Sequence, residues 1–231
     1  MHSAKPSTSS AFPLHTKPFC VEELGFSYYK DVWTYQRQLQ AKRQSGEIPD
    51  TLLFVEHEPI YTLGVSGKES NITGSQEFLS AKGIKVLRVD RGGDVTFHGP
   101  GQIVGYPIFD LKQHTPDVSW YMRSLERVLI ETLAHFGIRG TSIANCPGVW
   151  VGIDKIAALG VRISKWVTMH GFALNVSTDL DYFSGIIPCG IQDKSVTSMD
   201  RVLGYAPPIE TIKEILVNEF SRHFRFEGTI R

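Results

Sequence analysis

The sequence lacks an excess of charge of either sign, because 24 lysines and arginines stand against 24 aspartates and glutamates. No run of basic residues forms the positive stripe by which proteins hold a polyanion, so nucleic acid is not an expected partner. Long apolar runs are missing as well. Residues 140–153 carry no formal charge, but they contain Pro147 and fall short of the roughly 18 apolar residues of a spanning helix, so no membrane segment is expected.

Cysteine is scarce, and the odd count of three (Cys20, Cys146 and Cys189) leaves at least one thiol outside any disulfide. A chain of 231 residues buries roughly 70% of its extended surface on folding, so a core needs no disulfide or metal. This cysteine usage and the lack of a secretory signal predict a reducing, cytoplasmic location. We expect the polar residues 1–18 to be a flexible N-terminal tail and residues 19–231 to form a single catalytic domain.

The hydrophobic pattern predicts an α/β (α+β) fold in which helices flank a mixed sheet. We predict helices over 27–42 (with Ser27 as N-cap), 76–81, 119–136 and 209–224, and strands within 51–64, 84–89, 102–111, 149–153, 155–163 and 167–176. The last three strands have short connections, which predicts an antiparallel meander. Pro107 indicates an edge strand or a bulge, because proline donates no hydrogen bond to a sheet.

The segment RGGDVTFHGPGQ (91–102) holds four of the 21 glycines in the chain. Glycine lets the backbone approach a ligand closely, so this loop can direct amide N–H groups and the side chains of Arg91, Thr96 and His98 into a pocket. The segment matches neither the phosphate-binding loop nor the dinucleotide fingerprint. A tight turn between strands explains the glycines equally well.

Cys189, in the turn IIPCGI (186–191), is a candidate nucleophile. A free thiol has a pKa of about 8.5, so a reactive cysteine needs a neighbour that favours the thiolate. Lys155, which opens an apolar strand, is a candidate for that neighbour, and His98 and His170 are alternative bases. A buried structural cysteine and a solvated lysine remain the alternatives on spacing alone. The histidines and cysteines form no H-E-x-x-H or C-x-x-C motif, so no metal site is expected.

Five segments together resemble the lipoyl(octanoyl) transferases, the octanoyl-acyl-carrier-protein:protein N-octanoyltransferases. They are EHEPIYTLG (56–64), RGGDVTFHGPGQIVGYPI (91–108), KIAALGVRI (155–163), HGFALNV (170–176) and IIPCGI (186–191), in the order of the family. The resemblance implies the fold of the biotin and lipoate protein ligase catalytic domain. It also implies transfer of octanoyl from octanoyl-acyl carrier protein to a lysine of a lipoyl domain or of glycine-cleavage H protein, by a monomer that uses no cofactor.

The resemblance also implies roles for particular residues. Cys189 would carry the octanoyl group as a thioester, and Lys155 would favour its thiolate and shuttle protons. The substrate-binding residues implied are Arg91, Gly92, Gly93, Asp94, Val95, Thr96, Phe97, His98, Ala158, Leu159, Gly160, Gly171, Phe172 and Ala173.

Three alternative functions remain open at the level of sequence. An ATP-dependent lipoate ligase would share the fold, but such ligases resemble RRxxGGGxVYHD in the glycine-rich loop and use no cysteine nucleophile. A cysteine-dependent octanoyl amidotransferase between lipoyl carrier proteins would resemble this chain less across 91–102 and the Lys155 strand. A non-catalytic module that binds lipoyl domains would need neither Cys189 nor Lys155.

Overall fold

The computed structural model describes residues 17–187 and 195–230. Its helices are α1 (Tyr29–Ser45), α2 (Gln76–Ala81), α3 (Val118–Ala134), α4 (Met199–Leu203) and α5 (Ile209–Phe224). Its strands are β1 (Lys17–Ser27), β2 (Thr51–His57), β3 (Ile60–Leu63), β4 (Lys85–Arg88), β5 (Val95–His98), β6 (Gln102–Ile108), β7 (Thr141–Ile143), β8 (Cys146–Val151), β9 (Asp154–Ser164), β10 (Val167–Asn175) and β11 (Phe226–Ile230). Within these ranges, the apolar stretch of every helix is too short to span a bilayer.

Eight strands form one sheet in the order β11-β1-β2-β6-β10-β9-β8-β7, and β4-β3-β5 form a second, smaller sheet. In the large sheet β1 runs parallel to both β11 and β2, whereas the other neighbours are antiparallel. The predicted mixed sheet flanked by helices is confirmed, and so is the antiparallel meander, which consists of β8, β9 and β10.

The large sheet is covered by helices on both faces, because alternate residues of its strands point to opposite sides. Leu52 and Phe54 of β2 pack with α3 and α5 in the main core cluster. Leu53 and Val55 belong to a second cluster with residues of α1. The sheet is therefore the middle layer between α1 and the α3/α5 pair.

The start of the chain differs from the prediction. Ser27 does not cap α1; it is the last residue of β1, and its hydroxyl donates to the carbonyl of Leu24 at 2.8 Å. Strand β1 was not predicted, and it begins at Lys17, within the segment expected to be a tail. Its two sheet neighbours and the burial of Phe19 and Val21 stabilise an extended conformation that the local sequence does not announce.

Pro107 lies in an internal strand, so the expectation of an edge position is wrong. Strand β6 pairs with β2 on one side and with β10 on the other. The ladder with β10 covers Gln102 to Gly105 and ends before Pro107, whose carbonyl instead accepts a hydrogen bond from the Thr168 hydroxyl at 2.7 Å. The proline is tolerated because it stands where one of the two ladders opens.

Candidate active site

A cavity of about 740 Å³, counting its open mouth, lies between the strands β9 and β10 and the loop that leads into β5. Its lining includes Lys155 and, apart from Gly92 and Phe97, every residue that the sequence predicts to bind substrate. Segments that are far apart in the chain therefore meet around one space.

Gly92 and Phe97 are placed behind the cavity wall. The amide of Gly92 donates to the carbonyl of Val161 at 2.9 Å, which joins the glycine-rich loop to β9. The Phe97 ring is buried and stacks on Tyr182 with centroids 4.7 Å apart. Both residues support the wall instead of lining it.

Small residues form one side of the cavity because of the register between β9 and β10. Ala158 lies opposite Ala173, and Gly160 lies opposite Gly171. Directly opposed residues share a face of the sheet, so these four leave a slot between larger side chains. A Cβ atom on Gly160 would lie 2.9 Å from the carbonyl oxygen of Gly92, so glycine is needed for the loop to approach this closely.

The guanidinium of Arg91 is buried and holds the loop against β3. Its Nε donates to the Thr62 hydroxyl at 3.1 Å, and its Nη2 donates to the Thr62 carbonyl at 2.6 Å. Because this charge is buried, it favours negative charge nearby and disfavours protonated imidazole.

His98 belongs to a hydrogen-bonded series of buried side chains. Its Nδ1 lies 2.9 Å from Oε1 of Gln102. The Gln102 amide donates to Oδ1 of Asn175 at 2.9 Å, and the Asn175 amide donates to the carbonyl of Thr197 at 3.0 Å. Burial lowers the pKa of His98 well below its usual value, and the charges of His57 and Arg91 add to this effect.

A second buried network contains His170, which the sequence offers as an alternative base. Its Nε2 donates to Asp90 Oδ1 at 2.9 Å, while the hydroxyl of Tyr29 lies 3.4 Å from Nδ1. Burial lowers the pKa of His170, although Asp90 opposes this effect. Burial acts to raise the pKa of Asp90, but hydrogen bonds from His170 and Trp33 and the charge of Arg162 keep it below its usual range.

His57 lies beside this network and is fully buried. Its Nδ1 donates to the carbonyl of Ser27 at 2.8 Å, and its Nε2 accepts from the Tyr106 hydroxyl at 2.9 Å. Burial lowers the pKa of His57 to about 4, and the bond to Ser27 only partly opposes this effect. The ring is therefore neutral at pH 7.

Lys155 is 9% exposed and reaches the cavity from the second residue of β9. Its Nζ donates to the carbonyl of Pro147 at 3.2 Å and lies 4.7 Å from the centre of the Trp150 ring. The backbone of Lys155 pairs with the chain at Val196, through hydrogen bonds to Ser195 and Thr197 of 2.9 Å each. The lysine is thus fixed both by its side chain and by its strand.

Cys189 lies outside the described residues. In sequence it comes two positions after Ile187 and seven before Val196. Phe183 and Val196, on either side of it in the chain, both line the cavity. Cys20, whose pKa is raised by burial and by Glu22, is not among the lining residues, and neither is Cys146.

Sequence reasoning missed several lining residues: Tyr29, Gln102, Tyr106, Asn175, Phe183 and Val196. Gln102 and Asn175 stand inside the quoted motifs, as amides within strongly apolar strands. A side-chain amide in such a strand is buried and needs a hydrogen-bond partner, and this could have identified both residues as part of a buried polar site. Tyr29 carries no comparable signal, because it reaches the cavity only through the packing of α1.

One group of potential metal ligands occurs within the described ranges, and it is remote from the cavity lining. Glu131, Glu219 and His223 bring ligand atoms within 4.8 Å of one another between α3 and α5. Arg222 already forms ion pairs with both carboxylates, at 2.5 Å from Glu219. The guanidinium of Arg222 therefore already supplies a positive charge to this cluster.

The fold is that of the lipoate and biotin protein ligases. Lipoate-protein ligase A bound with ATP aligns over 94% of this chain and 90% of its own, with a TM-score of 0.72 and 16% identity. Biotin protein ligase from Aquifex aeolicus in complex with biotin and ATP aligns over 90% of this chain and 71% of its own, with a TM-score of 0.54 and 12% identity. At these identities the likeness concerns the fold alone.

The family model of the lipoyl protein ligase A/B catalytic domain matches residues 28–221, and the chain belongs to this family. An octanoyltransferase of Flavobacterium psychrophilum is 45% identical over 90% of this chain and 97% of its own length. An octanoyltransferase of Rubrobacter xylanophilus is 48% identical over 85% of this chain and 89% of its own length. The resemblance found in the sequence is confirmed, and the chain is an enzyme of the acyltransferase class.

Proposed function

We propose that this enzyme transfers an octanoyl group from octanoyl-acyl carrier protein to a lysine of a lipoyl domain or of glycine-cleavage H protein, through a thioester on Cys189. The relatives named octanoyltransferase support the acyl group. The observation that carries the mechanism is the meeting of Lys155, the loop at 91–98 and the small-residue slot around one cavity, with Val196 paired to Lys155.

The reaction divides into two exchanges at the same carbonyl carbon. The Cys189 thiolate attacks the donor thioester, the bond to the phosphopantetheine sulfur breaks, and that thiolate leaves with a proton. The acceptor amine then attacks the acyl-enzyme, the bond to the Cys189 sulfur breaks, and the amine proton returns to sulfur. Lys155 is the cation that favours both thiolates and carries protons between these groups.

The cavity suits a medium-length acyl chain. Seven carbons beyond the carbonyl, at about 0.8 kcal/mol for each buried methylene, would contribute roughly 5 kcal/mol to binding. The slot made by Ala158, Gly160, Gly171 and Ala173 lets a chain lie against the strand backbone. The charge of Arg91 and nearby backbone amides would polarise the thioester carbonyl.

The test is intact mass spectrometry of the purified protein mixed with octanoyl-acyl carrier protein, without ATP or metal. We expect a gain of about 126 Da, an octanoyl group replacing a hydrogen, that maps to Cys189 and disappears when an apo lipoyl domain is added. Cys189→Ala should fold normally and form no adduct, whereas the matched variant Cys20→Ala should load as the wild type does. Turnover by a folded Cys189→Ala protein would refute the mechanism.

The ATP-dependent ligase is the second candidate, because its fold is shared with the ATP-bound lipoate-protein ligase A. The two functions differ in the activated acyl donor. Free octanoate plus ATP should give no product with this enzyme, since a ligase needs a nucleotide and metal site for the adenylate. Product formation from free acid and ATP alone would favour the ligase.

A further inference from the structure

The amides of Gln102 and Asn175 have no freedom in how they are oriented. The Asn175 amide nitrogen must face the carbonyl of Thr197, because a carbonyl can only accept, so Oδ1 of Asn175 faces Gln102. The Gln102 amide nitrogen then donates to this oxygen and to the carbonyl of Phe97 at 3.2 Å. Its Oε1 is left as the acceptor that faces His98.

This order fixes the tautomer of the neutral His98 ring. Oε1 of Gln102 can only accept, so Nδ1 of His98 carries the hydrogen that joins them at 2.9 Å. In a neutral ring Nε2 is then a bare lone pair. Among the described residues Nε2 has no hydrogen-bond partner, and His98 lines the cavity.

The groups packed around His98 do not supply a hydrogen that would reverse this assignment. The Tyr29 ring stacks on the imidazole with centroids 5.5 Å apart, and the His57 ring is 5.9 Å away, edge to face. Arg91 and His170 also face it from the loop and from β10, and the positive charge of Arg91 disfavours a second proton on the ring. The two nitrogens of the His98 ring are therefore distinguished by the hydrogen bond to Gln102.

We propose that Gln102 and Asn175 are positioning residues that hold His98 as the Nδ1–H tautomer, so that its Nε2 accepts a hydrogen bond from the N–H of the acceptor lysine as that amine attacks the acyl-enzyme. This role rests on the proposed function. The same series ends on Thr197, whose amide donates to the Lys155 carbonyl at 2.9 Å. It therefore connects His98 to the backbone of Lys155, and both residues line the cavity.

The tautomer itself is tested by nitrogen-15 NMR of the imidazole ring in the wild-type enzyme, with His98→Gln used to assign the signal. We expect one protonated nitrogen, Nδ1, throughout pH 6 to 8. A ring protonated at Nε2, or at both nitrogens at pH 7, overturns the proposal. This measurement needs no turnover, so it stands or falls independently of the octanoyl transfer reaction.

The role in transfer is tested with Gln102→Glu, which keeps the acceptor for Nδ1, removes the amide donor to Asn175 and Phe97, and adds a negative charge. A carboxylate beside His98 favours the imidazolium, which can no longer accept at Nε2. We expect the acidic limb of the pH profile of kcat for discharge to the lipoyl domain to move to higher pH. We expect kcat at pH 6.5 to fall about tenfold or more, because each unit by which a pKa rises can lower the fraction of neutral ring tenfold. The donor KM should change little.

Gln38→Glu, the same substitution on the exposed face of α1, is the matched control and should keep the wild-type pH profile. Gln102→Leu, which fills the space without any polar contact, should lower kcat without moving the acidic limb of its pH profile. An unmoved limb in a folded Gln102→Glu enzyme overturns the positioning role, because a purely structural glutamine would change stability and not the pH profile.

Discussion

Replacing His57 by glutamine should flatten the loss of stability that acid causes in this protein. The neutral His57 ring is fully buried, donates to the carbonyl of Ser27 and accepts from Tyr106. In the unfolded chain the same imidazole is free to take a proton. Glutamine keeps one donor and one acceptor at this position but does not titrate.

The pKa of His57 falls from 6.5 to about 4 on folding, so the sign of the effect is fixed. Between these values the unfolded state binds a proton that the folded state does not, and stability rises with pH. The contribution is fully present above the unfolded pKa of 6.5 and is lost as the pH falls towards 4. From pH 7 to pH 5 it amounts to about 2 kcal/mol, at 1.36 kcal/mol for each pKa unit.

Urea denaturation at pH 7 and pH 5 measures this quantity as a difference in the free energy of unfolding. The wild type should lose about 2 kcal/mol more than His57→Gln over this interval, or roughly 4–8 °C in melting temperature for a chain of this size. Equal acid losses in the wild type and His57→Gln would refute the reasoning.

Three further predictions concern other positions. Lys155→Ala should move the pH dependence of Cys189 alkylation by iodoacetamide to higher pH, because a nearby cation favours the thiolate. An unchanged pH dependence would show that Lys155 does not help to form the thiolate. Gly160→Val should slow octanoyl loading in the intact-mass assay, since a Cβ atom there would lie 2.9 Å from the carbonyl oxygen of Gly92 and would displace the loop that borders the cavity. Loading at the wild-type rate would show that the close approach of this loop is not needed. Asp50→Ala should lower the free energy of unfolding by about 3–5 kcal/mol in urea titrations, because it leaves the buried guanidinium of Arg43 without its closest partner. The two groups are 2.6 Å apart in the wild type. A loss under about 1 kcal/mol would contradict this prediction.

The elements that the sequence predicts correctly are those with strong local signals. Helix α3 follows from apolar residues at intervals of three and four and from the stop at Gly137, which adopts a φ of +75° after the helix. The meander follows from β-prone runs with short connections. Three of the five family motifs, 91–108, 155–163 and 170–176, likewise contribute residues to the cavity lining, because the residue types that line it occur in contiguous stretches.

Other features have no local cause and could not be predicted in this way. Strand β1 is extended because β2 and β11 pair with it on both sides, and Pro107 is internal because a ladder ends beside it. Both facts depend on strands that are distant in the chain. Periodicity and propensity depend on a residue's neighbours in sequence. The order of strands in a sheet depends instead on pairing between segments that are distant in the chain.

The sequence by itself determined the family, the mixed sheet flanked by helices and the short segments that carry polar and small residues. Only the tertiary structure decided that Arg91 would be buried against Thr62 and that His57 would stay neutral. It alone also joined His98 to Gln102. The physical reason is that a side chain's protonation state and orientation depend on burial and on hydrogen-bond partners, and folding draws those partners from distant parts of the chain.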